Sequence, residues 1–181
     1  LIERDNDPAV RRAACASAGK LGDEALVSVY RAVTEKTDDE ALYASCMEGV
    51  VAMFHDHPSF GTSSEAAYRL FLERISAKPR TAHTPPWTVM SAFCYLSHAP
   101  DLDKLAAWRA KATWFDTNTV KRAITDVVAD KAASWQARTA GIESLVGLEA
   151  TKAELTALRR TLSNSDGDQR VAAKLDSVLA N

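Results

Sequence analysis

Residues 7–33 read DPAVRRAACASAGKLGDEALVSVYRAV, and this stretch decides the fold because it spells a whole helical hairpin, with both helix starts and the turn between them. Asp7 can accept hydrogen bonds from the free N–H groups of a first turn, and Pro8 falls where a helix needs no donor. From Val10 onward, Ala13, Ala14, Ser17, Ala18 and Leu21 recur at threes and fours and form one packing stripe, with Arg11, Arg12 and Lys20 off it. Gly22 can adopt the left-handed conformation that closes a helix. Asp23 and Glu24 then supply the charge that a second N-terminus favours, and Leu26, Val27, Tyr30 and Val33 make a second stripe.

A hairpin this short cannot bury its apolar faces alone and must stack on others. Copies follow along the chain. DDEALYASCMEGV from Asp38 lies 31 residues after Asp7 and sets Cys46 over Cys15 and Ala44 over Ala13. PWTVMSAFCYL from Pro86 lies 48 further on, and SWQARTAGIESL from Ser134 another 48, placing Arg138 over Arg11. DGDQRVAAKLDSVL from Asp166 follows after 32, with Arg170 over Arg11. Spacings near 31 suit a bare hairpin, and those of 48 require inserts. One insert is the loop HDHPSFGTSS at 55–64, and another is the proline-rich break KPRTAHTPP at 78–86. Helices are then expected near 87–97, near 102–113 behind the Ala-Pro-Asp break at 99–101, and near 118–132.

This pattern resembles the HEAT repeat, in particular the short alanine-rich kind that opens D-x-D-P-x-V-R-x-A-A, which Asn6 to Ala14 (NDPAVRRAA) matches nearly residue for residue. The resemblance implies an all-α fold, a right-handed α-α superhelix of HEAT/armadillo type with about ten helices, spanning residues 1–181 as one repeat domain. It also implies that the repeat arginine pairs with a carboxylate of a neighbouring turn. Arg11, Arg138 and Arg170 hold that position here, whereas Leu42 and Met90 replace it in the second and third copies.

Composition narrows the class further. The 181 residues, 46% of them hydrophobic, suffice for a continuous core, and the net charge is −2. Residues 1–90 carry 10 basic and 13 acidic side chains and residues 91–181 carry 12 and 11, far from the balance of a dedicated nucleic-acid binder. No apolar run is long enough to cross a bilayer and no signal-peptide pattern opens the chain, so no membrane partner is expected. Cys15, Cys46 and Cys94 are read as small buried residues, which suits a reducing cytoplasm. The opening Leu1-Ile2-Glu3-Arg4 reads as the last turn of a preceding helix, from which an upstream continuation is expected.

Four constellations could carry chemistry. His55-Asp56-His57 puts two imidazoles close together, with His83 or His98 as a distant third metal ligand; the competing reading is a polar loop rim. Asn164-Ser-Asp166-Gly-Asp168 has the look of a calcium loop, but Gln169 and Leu175 stand where the loop needs glycine and glutamate, leaving a helix cap. Trp108, Arg109, Lys111, Trp114, Lys121, Arg122, Trp135 and Arg138 mix stacking surfaces with cations, as nucleic-acid binders do. HEAT-like folds include DNA glycosylases for alkylated bases, whose resemblance would require a catalytic aspartate beside an aromatic cleft. Trp114 and Asp116, two residues apart, share a helical face poorly, and interior tryptophans with surface lysines account for the same residues. Finally, all three cysteines fall on packing stripes, where a thiol is inert, and no nucleophile elbow, Walker loop or H-E-x-x-H helix is present.

The expectation is therefore a non-catalytic scaffold without cofactor or metal, binding another protein or another domain of its own chain, with a nucleic-acid-binding or glycosylase-type protein as the rival. A helical appendage of a larger enzyme, as at the C-terminal end of some zinc aminopeptidases, shares the architecture. Second helices would line a concave face, making Arg31, Arg69, Lys104, Arg109, Lys111, Lys152 and Arg159 the candidate contacts.

Overall fold

A computed structural model describes residues 2–96, 102–163 and 166–180. Among these the chain is all-helical and has no strand. Its helices are α1 (Pro8–Ala18), α2 (Ala25–Lys36), α3 (Glu40–Phe54), α4 (Glu65–Ser76), α5 (Trp87–Met90), α6 (Leu102–Lys111), α7 (Thr117–Ala129), α8 (Trp135–Gly147), α9 (Lys152–Arg160) and α10 (Asp166–Ala180). The local chemistry of the starts is visible. Asp7 Oδ1 accepts from Ala9 N at 2.8 Å, Asp39 Oδ1 from Ala41 N and Leu42 N at 3.0 Å, and Ser134 Oγ from Ala137 N at 3.1 Å. Thr151 and Glu154 close a reciprocal capping box on α9. Gly22 takes a positive φ of 66° at the first hairpin turn, as its place in the sequence requires.

The chain divides into two compact units, Leu1–Arg74 with Ala99–Asp116, and Ile75–His98 with Thr117–Asn181. In the first, α1 and α2 both pack on α3. Gly19 and Gly49 let the α1 end and α3 touch backbone to backbone, since a Cβ on either would strike main-chain atoms of the other segment. Tyr30, wholly buried, donates its hydroxyl to Cys15 O at 2.6 Å and ties α2 to the same seam. Cys15 and Cys46 are joined in a disulfide. The expectation of buried free thiols is thus corrected for these two, and they no longer argue for a reducing compartment. The physical reason is the packing of α1 on α3, which brings Cys15 and Cys46 face to face across one seam.

In the second unit, α8 lies between α5 and α10 and is backed by α7, while α9 packs on α10. The helices at Pro86, Ser134 and Asp166 are thus neighbours, as copies of one repeat element would be. The expected helix over 87–97 is regular only to Met90, followed by i→i+3 bonds such as Cys94 N to Ser91 O at 3.1 Å; Ser97 lies outside the described residues. Ser144 of α8 engages the backbone where the regular helix ends. Its hydroxyl donates to Met90 O at 2.6 Å and accepts from Phe93 N at 3.1 Å, taking two groups that a continued helix would have paired with each other's turns.

Candidate functional site

The arginine expected to pair with a carboxylate does so at Arg138. Its Nη2 donates to Asp168 Oδ1 at 2.6 Å and its Nε to Val128 O at 2.7 Å, with both side chains of the pair almost wholly buried. Asp168 also accepts from Ser163 N at 2.8 Å and from the Ser163 hydroxyl. Burial pushes the Asp168 carboxyl up, but the Ser163 bonds and the Arg138 guanidinium outweigh it and hold the group well below the carboxylate range. Arg11 repeats half of this arrangement, its Nε donating to Ile2 O at 2.9 Å. Arg170 does not take part, since its guanidinium lies 4.6 Å from the centre of the Trp135 ring.

Sequence reasoning missed a second buried arginine. Arg80, from the proline-rich segment, bonds Asp130 Oδ2 at 2.7 Å and Ile75 O at 3.0 Å. The Asp130 carboxyl is lowered, first by the Ala132 N–H it accepts and then by Arg80. This Arg–carboxylate pair lies outside the aligned segments, since Arg80 belongs to the proline-rich break at 78–86 and Asp130 follows α7. A signal existed in the basic residues of an otherwise proline-rich break, but a pairing fifty positions away has no local signature.

The candidate contact cations sit differently from one another. Arg31 is held by Glu73 at 2.7 Å, Arg69 by Glu65 at 2.6 Å and Arg159 by Asp176 at 2.9 Å. Lys152 reaches Leu179 O at 3.5 Å. Lys104, Arg109 and Lys111 stand exposed on α6, which buries only Leu105 and Trp108.

The tryptophans separate into two kinds. Trp108 is 1% exposed, donates Nε1–H to Phe54 O at 2.6 Å, and packs against His55, Phe60 and Phe115. Trp114 is half-buried and meets the same cluster through Tyr68 and Phe54. By contrast Trp87 and Trp135 are 58% and 39% exposed. For Trp108 the packing explanation therefore holds, and the exposed Trp87 was not among the residues that composition singled out.

The His55 loop is organised around Asp56, whose Oδ1 accepts from Thr62 N at 3.0 Å and whose backbone carbonyl accepts from Ser59 N at 2.8 Å. His55 does not stand at a rim. It is buried edge-on between Phe60 and Trp108, with ring centres 5.3 and 5.1 Å away, and burial, reinforced by His57, lowers its pKa to about 4. No group of three metal-ligating side chains occurs among the described residues, and His98 lies outside them. The calcium-like segment begins at Asn164 and Ser165, also outside them; Asp168, its last acid, is the partner of Arg138. Cys94 is a free, half-buried thiol whose pKa is raised by burial and by Glu143. An apolar groove of about 570 Å³ runs beside α1 and α2 between Ala14, Ala18, Leu21 and Leu26. No helix among the described residues is long and apolar enough to cross a membrane.

No family model, no curated protein and no solved structure matches the chain.

Proposed function

We propose that the chain is a HEAT-type helical-repeat protein, wound as a right-handed α-α superhelix, whose task is to bind another protein or another domain of its own chain. The observation that carries this reading is the packing of α5, α8 and α10 side by side, each the opening helix of a repeat copy, with the Arg138–Asp168 rung between two of them. A rung and a stack are what such a scaffold needs, and the exposed stripes left on each helix are what it offers to a partner. The burial of Trp108 favours this reading over the nucleic-acid rival at that residue, because an indole packed in a core is not presented for stacking on a base.

Among the candidate cations, Arg109 and Lys111 are the best placed, since Arg31, Arg69 and Arg159 would first have to release a carboxylate. The test is recovery of a partner from the source cell by the tagged chain, with and without the paired change Arg109→Glu and Lys111→Glu. Loss of the partner supports the reading. An unchanged yield removes α6 from it, and a salt-sensitive mobility shift of duplex DNA by the unaltered chain would favour the rival.

A further inference from the structure

The second unit shows what a carboxylate cradle in this fold consists of. Three residues converge on Asp168: Arg138 through Nη2 at 2.6 Å, Lys131 through Nζ at 3.7 Å, and Ser163 through both its backbone N–H and its hydroxyl. Arg138 is steadied by the bond from its Nε to Val128 O, ten residues upstream. In the first unit Arg11 is steadied in the same way, its Nε donating to Ile2 O nine residues upstream. Thr37 stands three residues before the start of α3, as Ser163 stands three before the start of α10, and Lys36 precedes it. Arg11, Lys36 and Thr37 thus repeat the set of guanidinium, ammonium and hydroxyl, and all three line one cavity of about 370 Å³. Arg11 and Lys36 enter no ion pair among the described residues, and the Thr37 hydroxyl is engaged there only as an acceptor, from Asp39 N at 3.1 Å.

The rest of the lining narrows the ligand. Glu3 and Asp38 stand at the same cavity, and Ala32 and Val33 of α2 give it an apolar wall. Neither acid forms an ion pair among the described residues, although charges nearby pair readily, Arg12 with Asp39 at 3.8 Å and Arg31 with Glu73 at 2.7 Å. Two cations and two anions left unpaired around an apolar wall match a zwitterion that carries an apolar side chain. A dianion such as phosphate would be repelled by both acids. The volume falls within the range of small-molecule sites, about 300–1,000 Å³. We propose that this cavity binds a free apolar amino acid, its carboxylate held by Arg11, Lys36 and Thr37 and its ammonium drawn to Glu3 and Asp38. With Nε committed to Ile2 O, the Arg11 Nη groups are the donors left for the carboxylate, and a guanidinium is the side chain best suited to it. Such a small-molecule site goes beyond the protein-binding reading, and its failure would leave that reading untouched.

The test is titration of the isotope-labelled full chain with L-leucine, read from backbone amide NMR shifts. Saturable shifts are expected at Val33, Lys36 and Thr37. Isocaproate, which lacks the ammonium, should bind more weakly than leucine, and isoamylamine, which lacks the carboxylate, should give no saturable shift. Arg11→Gln should weaken leucine binding about tenfold or more, as loss of hydrogen bonds to a charged group does, and Lys36→Gln about threefold. Arg11→Lys keeps the charge but loses the planar fork, and should fall nearer to Arg11→Gln than to the unaltered chain. No saturable shift with leucine, an equal response to isoamylamine, or unchanged affinity in Arg11→Gln and Lys36→Gln would overturn the proposal. Tighter binding of inorganic phosphate than of leucine would also overturn it, by making the cavity a general anion site. Should Arg11→Gln fail to fold, Lys36→Gln still decides, since its side chain is exposed, together with the three ligands on the unaltered chain.

Discussion

Each unit contains a junction between packed helices that is locked by more than apolar contact, and the two locks differ in kind. Between α1 and α3 the lock is covalent, Cys15 to Cys46, set in a seam tight enough to demand glycine at 19 and 49. Between α8 and α10 it is ionic, Arg138 to Asp168, buried and completed by Val128 O and Ser163. A disulfide acts by limiting the unfolded chain and is indifferent to which groups surround it. A buried ion pair is favourable only while every member is present, because its gain is set against the desolvation of two charges. The same architectural problem is therefore solved once in a way that depends on redox state and once in a way that depends on complete polar satisfaction.

Arg138→Ala should have the largest effect, a loss of about 3–5 kcal/mol, since it strands the Asp168 carboxylate in the interior. Urea unfolding measures it. The double change Arg138→Met with Asp168→Asn removes both charges and keeps an acceptor for Ser163 N, and it should cost clearly less than the single change. If both cost the same, the arginine matters for the space it fills and the ionic half of the comparison collapses.

Opening the disulfide should cost about 4 kcal/mol, as expected for a loop of this length, where the linked residues are 31 apart. Guanidinium midpoints with and without reductant would show it, and hydrogen exchange should report loss of protection in α1 and α3 while α8 keeps its own. Mass spectrometry after alkylation of the unfolded, unreduced chain should find Cys94 modified alone. Three modified thiols would mean that the covalent lock is not formed.

Much of this was legible in the residues. Asp7, Asp39, Ser134 and Gly22 act locally, and each does what its position implies. The repeat register also held more than was drawn from it: setting Cys46 over Cys15 already places two thiols at one level of adjacent helices, although composition alone reads them as core. Arg80–Asp130 was not legible, because nothing local to either residue marks the other. The break of α5 after Met90 was hidden for the same reason, since the group that bonds Met90 O there is Ser144, more than fifty positions downstream. The exposed Trp87 could be told from the buried Trp108 only once packing fixed which helix faces remain open.

Acid should separate the two units. His55 is held neutral, its pKa lowered from an ordinary 6.5 to about 4. The contribution of its neutral form is therefore full above pH 6.5, fades as pH falls toward 4, and is gone below that, a loss of about 3 kcal/mol at most. Asp168 has its pKa lowered, so its contribution persists through that window and is lost only as pH falls below the ordinary carboxylate value of 3.8. At pH 5, exchange protection should thus decline around His55, Phe60 and Trp108 but not around Arg138. His55→Phe should remove the decline between pH 6.5 and 4, and an unaltered slope in that variant would assign the acid sensitivity to other groups.

The smallest effect belongs to the surface pairs that accompany the locks, Arg12 with Asp39 at 3.8 Å beside the disulfide and Lys174 with Glu143 at 2.7 Å beside the buried arginine. Both span the same junctions as the locks, so geometry alone would rank them as equals. Solvent decides otherwise. Lys174 and Glu143 are 36% and 45% exposed, their attraction is screened by water and salt, and ordering the lysine costs side-chain entropy. Lys174→Met should accordingly change stability by less than about 1 kcal/mol, and by less again in high salt. Arg138 and Lys174 reach across one interface with one sign of charge, so a Lys174→Met loss as large as that of Arg138→Ala would show that burial is not what distinguishes them. The ionic lock would then be a property of the whole α8–α10 junction rather than of the one pair taken out of water.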